Sequence, residues 1–308
     1  MISILLATYN GAKYLSELLD SLFAQTIQDF TLYIYDDCST DDTVRIIESY
    51  SREHPGRIIF TRRSSNSGSA KFSFLDMMTA HQDDYVMLCD QDDVWLPHKI
   101  ELTLKGMKQA EQEHGNLTPL LIHTELLVTH EDTTQEIGQY HILANLDCSR
   151  ISLNCAIVQN IAIGCTIMYN RALSQLIIKP CQFYVMHDWW LFLIASALGK
   201  IKYLEQETLL YRQHGTNSIG VSDTRTIRYI LRRLRNSSRI RQALLESSIQ
   251  ADTFLRAYIS KLTEKQKHLL KTYAEIPQMP KLKKITTLLK LQTIKNSLPH
   301  KIGQIIFI

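Results

Sequence analysis

No two cysteines in this chain are spaced as CxxC; its six, Cys38, Cys89, Cys148, Cys155, Cys165 and Cys181, lie far apart. That spacing argues against a zinc ribbon and a dense disulfide framework and fits a reducing compartment. Also missing is any stretch of the roughly 18 uninterrupted apolar residues that a membrane span needs. The first residues run directly into a strand-like segment, without the basic-then-apolar pattern of a secretion signal. The expectation is a cytoplasmic protein with no transmembrane helix. Internal repeats and low-complexity linkers are absent as well.

What is present is a chain of 308 residues with 45% hydrophobic content, enough for one large core or two smaller ones. The net charge of +3 hides an asymmetry. From Val221 onward there are 18 Lys+Arg against 5 Asp+Glu, a net +13, whereas residues 1–220 hold 16 against 26, a net −10. An acidic globular part joined to a basic tail implies an anionic partner for the tail. The tail has few aromatics among its cations, so stacking on single-stranded nucleic acid is not expected.

The chain is organised around Tyr85 to Ile100, YVMLCDQDDVWLPHKI. An apolar run that fits a buried strand ends at Asp90-Gln91-Asp92-Asp93. Carboxylates this close need a cation or a shared proton, and a hard divalent ion such as Mg2+ or Mn2+ meets that need. The competing reading is an acidic turn before a helix, where Asp caps the N-terminus.

In order, Ile2 to Ala7 reads as a parallel strand buried on both faces, and from Ala12 the apolar residues take helical spacing through Leu22. Phe30 to Tyr35 is a second strand, ending in Asp36-Asp37-Cys38-Ser39-Thr40-Asp41-Asp42, with a helix over Thr43 to Tyr50. Ile58 to Thr61 is a third; the polar loop Arg62 to Lys71 leads to a helix through Phe72, Phe74, Leu75 and Met78. Four strand-helix alternations imply an α/β fold with a mostly parallel sheet and helices on both faces, whose ligands gather at the carboxyl ends of the strands.

Downstream, the pattern predicts a helix from Lys99 to His114, a strand over Leu120 to Val128 and an antiparallel-leaning region after it. A strand over Ile161 to Tyr169, interrupted by Gly164, comes next. Met186-His187-Asp188-Trp189-Trp190 opens an apolar helix to Leu198. Two strands, Ile201 to Leu204 and Thr208 to Arg212, end at Gln213-His214-Gly215-Thr216-Asn217. Beyond Asp223 the chain is helical and basic. Two stretches in it, Thr226 to Arg241 and Lys281 to Lys301, are amphipathic.

The segments LLATYNGAKYL, YDDCSTDDT, MLCDQDDVWLPHKI, NIAIGCTIMYNRAL, MHDWWL and YRQHGTNSIG, in this order and spacing, resemble the bacterial family-2 inverting glycosyltransferases of GT-A fold. Within them the resemblance is to the rhamnosyltransferase-like branch of cell-wall and capsular polysaccharide synthesis. It implies a GT-A domain over residues 1–220 and a basic helical region over 221–308 for membrane association or a homodimer contact. It also implies a Mn2+ or Mg2+ cofactor, and a donor that is dTDP-L-rhamnose or a UDP-sugar. The acceptor it implies is a polyprenyl-diphosphate-linked saccharide at the inner face of the cell membrane, with no nucleic acid partner.

Residue by residue, the resemblance implies that Asp188 is the catalytic base and that Asp92, Asp90 and His214 hold the metal. Nucleotide-sugar contacts are implied for Thr8, Tyr9, Asn10, Asp37, Asn66, Lys71, Asp90, Gln91, Gly164, Cys165, Thr166, Trp189 and Arg212. Plainer roles compete: turn capping for Asp36, Asp37 and Asp93, a solvent-facing Lys71, a satisfied polar His214, and an N-cap Asp188 before core tryptophans. For Asp41 capping is the expected role. Three departures from the family stand out. Cys38 replaces the usual glycine after the base-binding aspartate, the loop Asn66 to Lys71 lacks the Arg or Asn often seen at its far end, and Tyr211-Arg212-Gln213-His214 stands where processive synthases carry QxxRW, which implies few sugars added per encounter. Two rivals of other classes are an Mg2+-dependent phosphoryl-transfer domain of receiver type and a non-catalytic scaffold.

Overall fold

The computed structural model describes residues 1–180, 183–215 and 237–308. They group into two compact units. The first comprises Met1–Tyr140, Ala162–Lys179 and the described part of 199–220; the second comprises His141–Ile161, the described part of 180–198 and residues 237–308. This grouping interleaves along the chain, whereas the sequence-based division makes one cut after residue 220.

The first unit is built on a nine-stranded sheet in the order β3-β2-β1-β4-β8-β6-β9-β5, with β7 paired to β6. Strands β1 (Ile2–Thr8), β2 (Phe30–Asp36), β3 (Ile58–Arg62) and β4 (Tyr85–Cys89) are parallel to one another. β1 lies between β2 and β4 and is buried along nearly its whole length, as its unbroken apolar run requires. β3, at the edge, is largely exposed.

Helices α1 (Ala12–Phe23), α2 (Thr43–Glu53) and α3 (Ala70–Ala80) form the crossovers, and α4 (Lys99–His114) follows the acidic turn. α1 buries Leu15, Leu18, Leu19 and Leu22 on one face, each fully buried leucine contributing roughly 1.5–3 kcal/mol before the entropy of ordering it is counted. Thr8 pairs with Asp36 and Asp36 with Arg62, so β1, β2 and β3 end level, while β4 stops two residues short, Cys89 opposite Leu6; their loops emerge along one edge.

The rest of the sheet is mixed. β6 (Leu120–Thr129) is buried throughout, and β7 (Glu136–Gln139) returns antiparallel along it, as the sequence predicts. β5 (Val94–Trp95) is a two-residue strand too short for any periodicity to reveal. Two expectations are corrected. β8 runs only Ile167–Asn170, because Gly164–Thr166 coils into a 3-10 turn. The two strands expected at 201–204 and 208–212 are one strand, β9 (Lys200–Arg212), whose pairing with β6 slips near Glu125 and so hides the continuity.

The second unit is helical. α5 (His187–Leu198) is apolar nearly all round and buried accordingly, with Trp190 wholly enclosed and edge-on to Phe254 at 5.4 Å between centroids. α6 (Ser237–Tyr258) and α7 (Glu264–Glu275) pair through Ser247 and Tyr273, whose hydroxyl oxygens are 2.9 Å apart, and α7 opens with a Thr263–Gln266 capping box. α8 (Lys281–Leu291) and α9 (Leu298–Phe307) close the chain. Of the basic helix expected at 226–241, residues 226–236 lie outside the described residues, as do Cys181, Thr216 and Asn217. No helix among the described residues is long and apolar enough to cross a membrane.

Candidate active site

The loops after β1 and β2 are tied together first. Thr8 Oγ1 donates to Asp36 Oδ1 at 3.1 Å, and the Asp37 amide donates to the Thr8 carbonyl at 2.8 Å. Asn10 sits in the left-handed region (φ 48°), which asparagine tolerates, and its Oδ1 accepts from the Thr40 amide at 2.8 Å. Asp41 accepts from the Thr43 amide at 3.0 Å and the Ala12 amide at 3.1 Å, the capping role expected of it. Its burial would raise the carboxyl, but these hydrogen bonds outweigh that and hold it below the ordinary range.

Asp37 is buried and faces the loop after β3. Ser67 donates to it twice, amide to Oδ1 and hydroxyl to Oδ2, both at 2.8 Å, and Arg63 Nε lies 3.5 Å from Oδ1. Asn66 Nδ2 donates to the Asp37 carbonyl at 2.9 Å. Cys38, standing where a glycine is usual, takes the glycine-like conformation all the same: its φ is 66° and its thiol reaches the Arg63 carbonyl at 3.2 Å. The turn thus keeps its shape and carries the strain of a side chain there.

Gln91 joins the acidic turn to the first loop. Its Oε1 accepts from the Tyr9 amide at 2.9 Å while its Nε2 donates to the Tyr9 carbonyl at 3.1 Å. The register explains the fit: Leu6 pairs with Cys89, so two residues past β4 the side chain comes level with the chain leaving β1. Gly11 completes the fit, since a Cβ there would stand 2.7 Å from the Gln91 Cδ.

Asp92 meets His214. The His214 Nε2 lies 2.8 Å from Asp92 Oδ2, and Tyr14 covers the imidazole with a ring-centroid distance of 4.9 Å. Arg212, expected at the nucleotide sugar, instead spends donors on the protein. Its Nε bonds the Asp92 carbonyl at 3.0 Å, Nη1 bonds the Glu131 carbonyl, and Nη2 pairs with Glu17 at 2.5 Å, while the guanidinium lies 4.6 Å from the Tyr14 ring centre. Arg212 therefore fixes the backbone of the acidic turn and, through the end of β9, the place of His214.

Asp93 does not cap the following helix, which begins only at Lys99. It points inward, 1% exposed, with neither carboxylate oxygen hydrogen-bonded in good geometry. Ligand atoms of Asp90, Asp93 and Cys165 all lie within 4.8 Å of one another. Burial, reinforced by Asp92 and Asp90, drives the Asp93 carboxyl well above its ordinary value, against the pull of the Cys165 thiol and Lys99. Lys99 is itself fully buried, donating to Thr208 Oγ1 at 3.1 Å with its ammonium 4.7 Å from the Trp95 ring centre. Burial pulls it down to about 8, even though Cys165, Cys89 and Asp93 act to raise it. Sequence reasoning missed Lys99; its signal was a cation at the first position of an otherwise apolar helix face.

The rim residues suit a divalent cation. Asp92 and His214 converge at a spacing that two ligands of one ion can share, and a carboxylate with an imidazole matches Mn2+ well and Mg2+ adequately, whereas the ligand atoms of Asp90 lie close to those of Asp93 and Cys165. Cys165 is a poor ligand for such an ion, because burial first, then the Asp93 and Asp90 charges, keep its thiol protonated. Gly164, Cys165 and Thr166 are all buried, and Thr166 Oγ1 is engaged with the Ile163 carbonyl at 2.7 Å.

In the first unit the expected site residues fall into separate groups: Thr8, Asp37 and Asn66 are linked by hydrogen bonds, as are Tyr9 and Gln91, and as are Asp92, His214 and Arg212; Asn10 bonds Thr40, and Asp90 lies near Cys165. Lys71 lies in the first turn of α3 with its ammonium 5.1 Å from the Phe72 ring centre. Asp188 and Trp189 belong to the second unit. Asp188 is 7% exposed in the first turn of α5 and accepts from the Trp189 amide at 2.6 Å. Trp189 anchors its indole N–H on the Ala156 carbonyl at 2.6 Å, which fixes the ring plane.

Residues 3–175 match the model of a family described as Glycosyl transferase family 2. An uncharacterized glycosyltransferase of Nostoc sp. is 25% identical over 221 residues, 70% of this chain and 66% of that protein. A dTDP-rhamnosyl transferase of Shigella flexneri is 25% identical over 271 residues, 83% of this chain and 90% of that protein. Among solved structures, S. aureus TarS in complex with UDP-GlcNAc aligns with a TM-score of 0.54 at 16% identity, covering 93% of this chain and 83% of that one. A mannosyltransferase from Pyrobaculum calidifontis, in complex with GDP-Man and Mn2+, aligns at 0.52 and 14%, covering 95% and 85%. The fold is that of the GT-A glycosyltransferases.

Proposed function

Because the chain belongs to glycosyl transferase family 2, we propose that it transfers L-rhamnose from dTDP-L-rhamnose, with inversion, to a hydroxyl of a polyprenyl-diphosphate-linked saccharide. The observation that carries the nucleotide-sugar reading is the convergence of Asp92 Oδ2 and His214 Nε2 at 2.8 Å on the strand-end rim. The choice of rhamnose draws on the Shigella flexneri relative, named a dTDP-rhamnosyl transferase.

In this reading Asp37 accepts the N3–H of the pyrimidine, exchanging part of its hold on Ser67 for the base. Tyr9, exposed and clamped by Gln91, offers its ring to the base. Asp92, His214 and Asp90 would hold a divalent cation, which supplies positive charge opposite the departing diphosphate. Arg212 keeps the Asp92 main chain in place while charge develops. Asp188 takes the proton of the acceptor hydroxyl as its oxygen bonds to the anomeric carbon and the bond to the diphosphate breaks in line. One displacement inverts the centre, so no covalent enzyme intermediate is needed. Trp189 presents an aromatic face on which a sugar ring can stack.

The second reading within the family is a UDP-hexose or UDP-N-acetylhexosamine donor, and the neighbour solved with UDP-GlcNAc favours it. Family membership sets aside the receiver-type phosphoryl-transfer domain. The test is to incubate the full chain with Mn2+ and a panel of nucleotide-sugars and record which one releases its nucleoside diphosphate. Release of dTDP from dTDP-L-rhamnose, lost in Asp188→Asn, supports the proposal. Release of UDP alone overturns the donor, and no release from any donor, with acceptor lipid present, leaves the scaffold.

A further inference from the structure

Residues 276–308 contain six lysines and no aspartate or glutamate. Crowding of these cations is already felt at Lys281, whose ammonium is pulled below its ordinary value by burial and then by Lys284 and Arg241. Such a segment selects an anionic partner. Its helix α9 is oriented by an inner anchor: Gln304, fully buried, donates to the Thr293 carbonyl at 3.0 Å and accepts from the Lys295 amide at 2.8 Å.

With Gln304 and Gly303 inward, the opposite stripe of α9 is Leu298, Ile302, Ile305 and Ile306, at helical spacing. These residues are 68%, 38%, 36% and 50% exposed, so one contiguous aliphatic stripe faces outward rather than a few scattered side chains. Lys281 donates to the carbonyls of Ile306 at 2.6 Å and Ile308 at 3.0 Å, which fastens the start of α8, next to the exposed Leu282, to the end of α9. Lys283, Lys290 and Lys301 are exposed as well.

We propose that this face of α8 and α9 docks on an anionic lipid bilayer, the aliphatic stripe entering to headgroup depth while the lysines meet the phosphates. The inference deepens the proposed function, on which it rests for its lipid-linked acceptor. Aliphatic side chains with lysines and no acids match an interface of acyl chains and anionic headgroups. A second copy of the same face would set lysines against lysines.

The test is flotation of the full chain with phosphatidylcholine vesicles, with and without phosphatidylglycerol, run beside the nucleoside diphosphate release assay. Binding is expected only to the anionic vesicles. Lys283→Glu with Lys284→Glu should weaken it about tenfold or more, given a contribution of about fivefold per lysine at an anionic surface. Ile302→Gln with Ile306→Gln, at exposed positions that leave the fold intact, should weaken it about tenfold as well. Absence of binding, or isoleucine variants that bind like the parent, overturns the docking mode. A concentration-dependent dimer abolished by the isoleucine variants also overturns it, and makes the face a contact between copies. Donor turnover without vesicle binding sinks this inference alone, whereas vesicle binding without turnover of any donor sinks the proposed activity alone.

Discussion

His214 Nε2 lies 2.8 Å from Asp92 Oδ2, although 122 positions separate the two residues in the chain. The contact joins the turn after β4 to the end of β9, and Arg212 Nε braces it from behind by bonding the Asp92 carbonyl. If these atoms are ligands of one cation, Asp92→Ala and His214→Ala should each lower Mn2+ affinity by about 10–100-fold or more, a range that loss of even an outer-shell partner reaches. Titration calorimetry with Mn2+ checks this, and unchanged affinity in both variants would remove the site.

Asp188→Asn keeps the shape of the side chain and removes its basicity. Turnover should fall about 10²- to 10⁴-fold while the KM for the donor stays within a few-fold, because only the proton acceptor has gone. Steady-state kinetics separates the two constants, and a pure KM effect would reassign Asp188 to binding.

His187, beside it in α5, is buried, and burial holds its imidazole down to about 3 against an ordinary value of 6.5. The unfolded chain therefore binds a proton that the folded chain refuses, and stability falls as pH drops from about 6.5 toward about 3. Near pH 4.5 the loss amounts to roughly 2–3 kcal/mol. The difference in urea-unfolding free energy between the parent and His187→Leu should carry this slope.

Lys99 gives the complementary effect on the alkaline side. Its folded value of about 8 lies below the ordinary 10.5, so the charged form costs stability below pH 8, and that cost is relieved as pH rises from about 8 to 10.5. The difference in unfolding free energy between the parent and Lys99→Met should therefore shift in favour of the parent, by on the order of 2–3 kcal/mol across that window. A difference that is flat with pH would mean the ammonium is not desolvated.

The sequence made the parallel half of the sheet legible because β1, β2 and β4 are continuous apolar runs, each ending in polar turn residues. It also placed α4 at its observed bounds, since the apolar spacing of that helix is regular. What stayed hidden depends on partners distant in the chain. Gly164–Thr166 looks like strand because its residues are apolar, and they are apolar because the 3-10 turn is buried. β9 looked like two strands because the Glu205-Gln206 pair is polar, while it is the slipped pairing with β6 that lets polar residues sit there. At the site, the carboxylates announced themselves by type and spacing, but nothing local distinguishes Asp92 on the rim from Asp93 beneath it. That distinction rests on Cys165 and Lys99, and the fate of the Arg212 donors rests on Glu17, Tyr14 and Glu131.

The paired hydrogen bonds between the Gln91 amide and the Tyr9 peptide carry a mechanical consequence. They copy a rung of the sheet beyond its last true rung, so the two loops travel as one piece. A molecule that shifts Tyr9 must drag the neighbour of Asp92 with it, which couples recognition at one end of a ligand to the alignment of charge at the other.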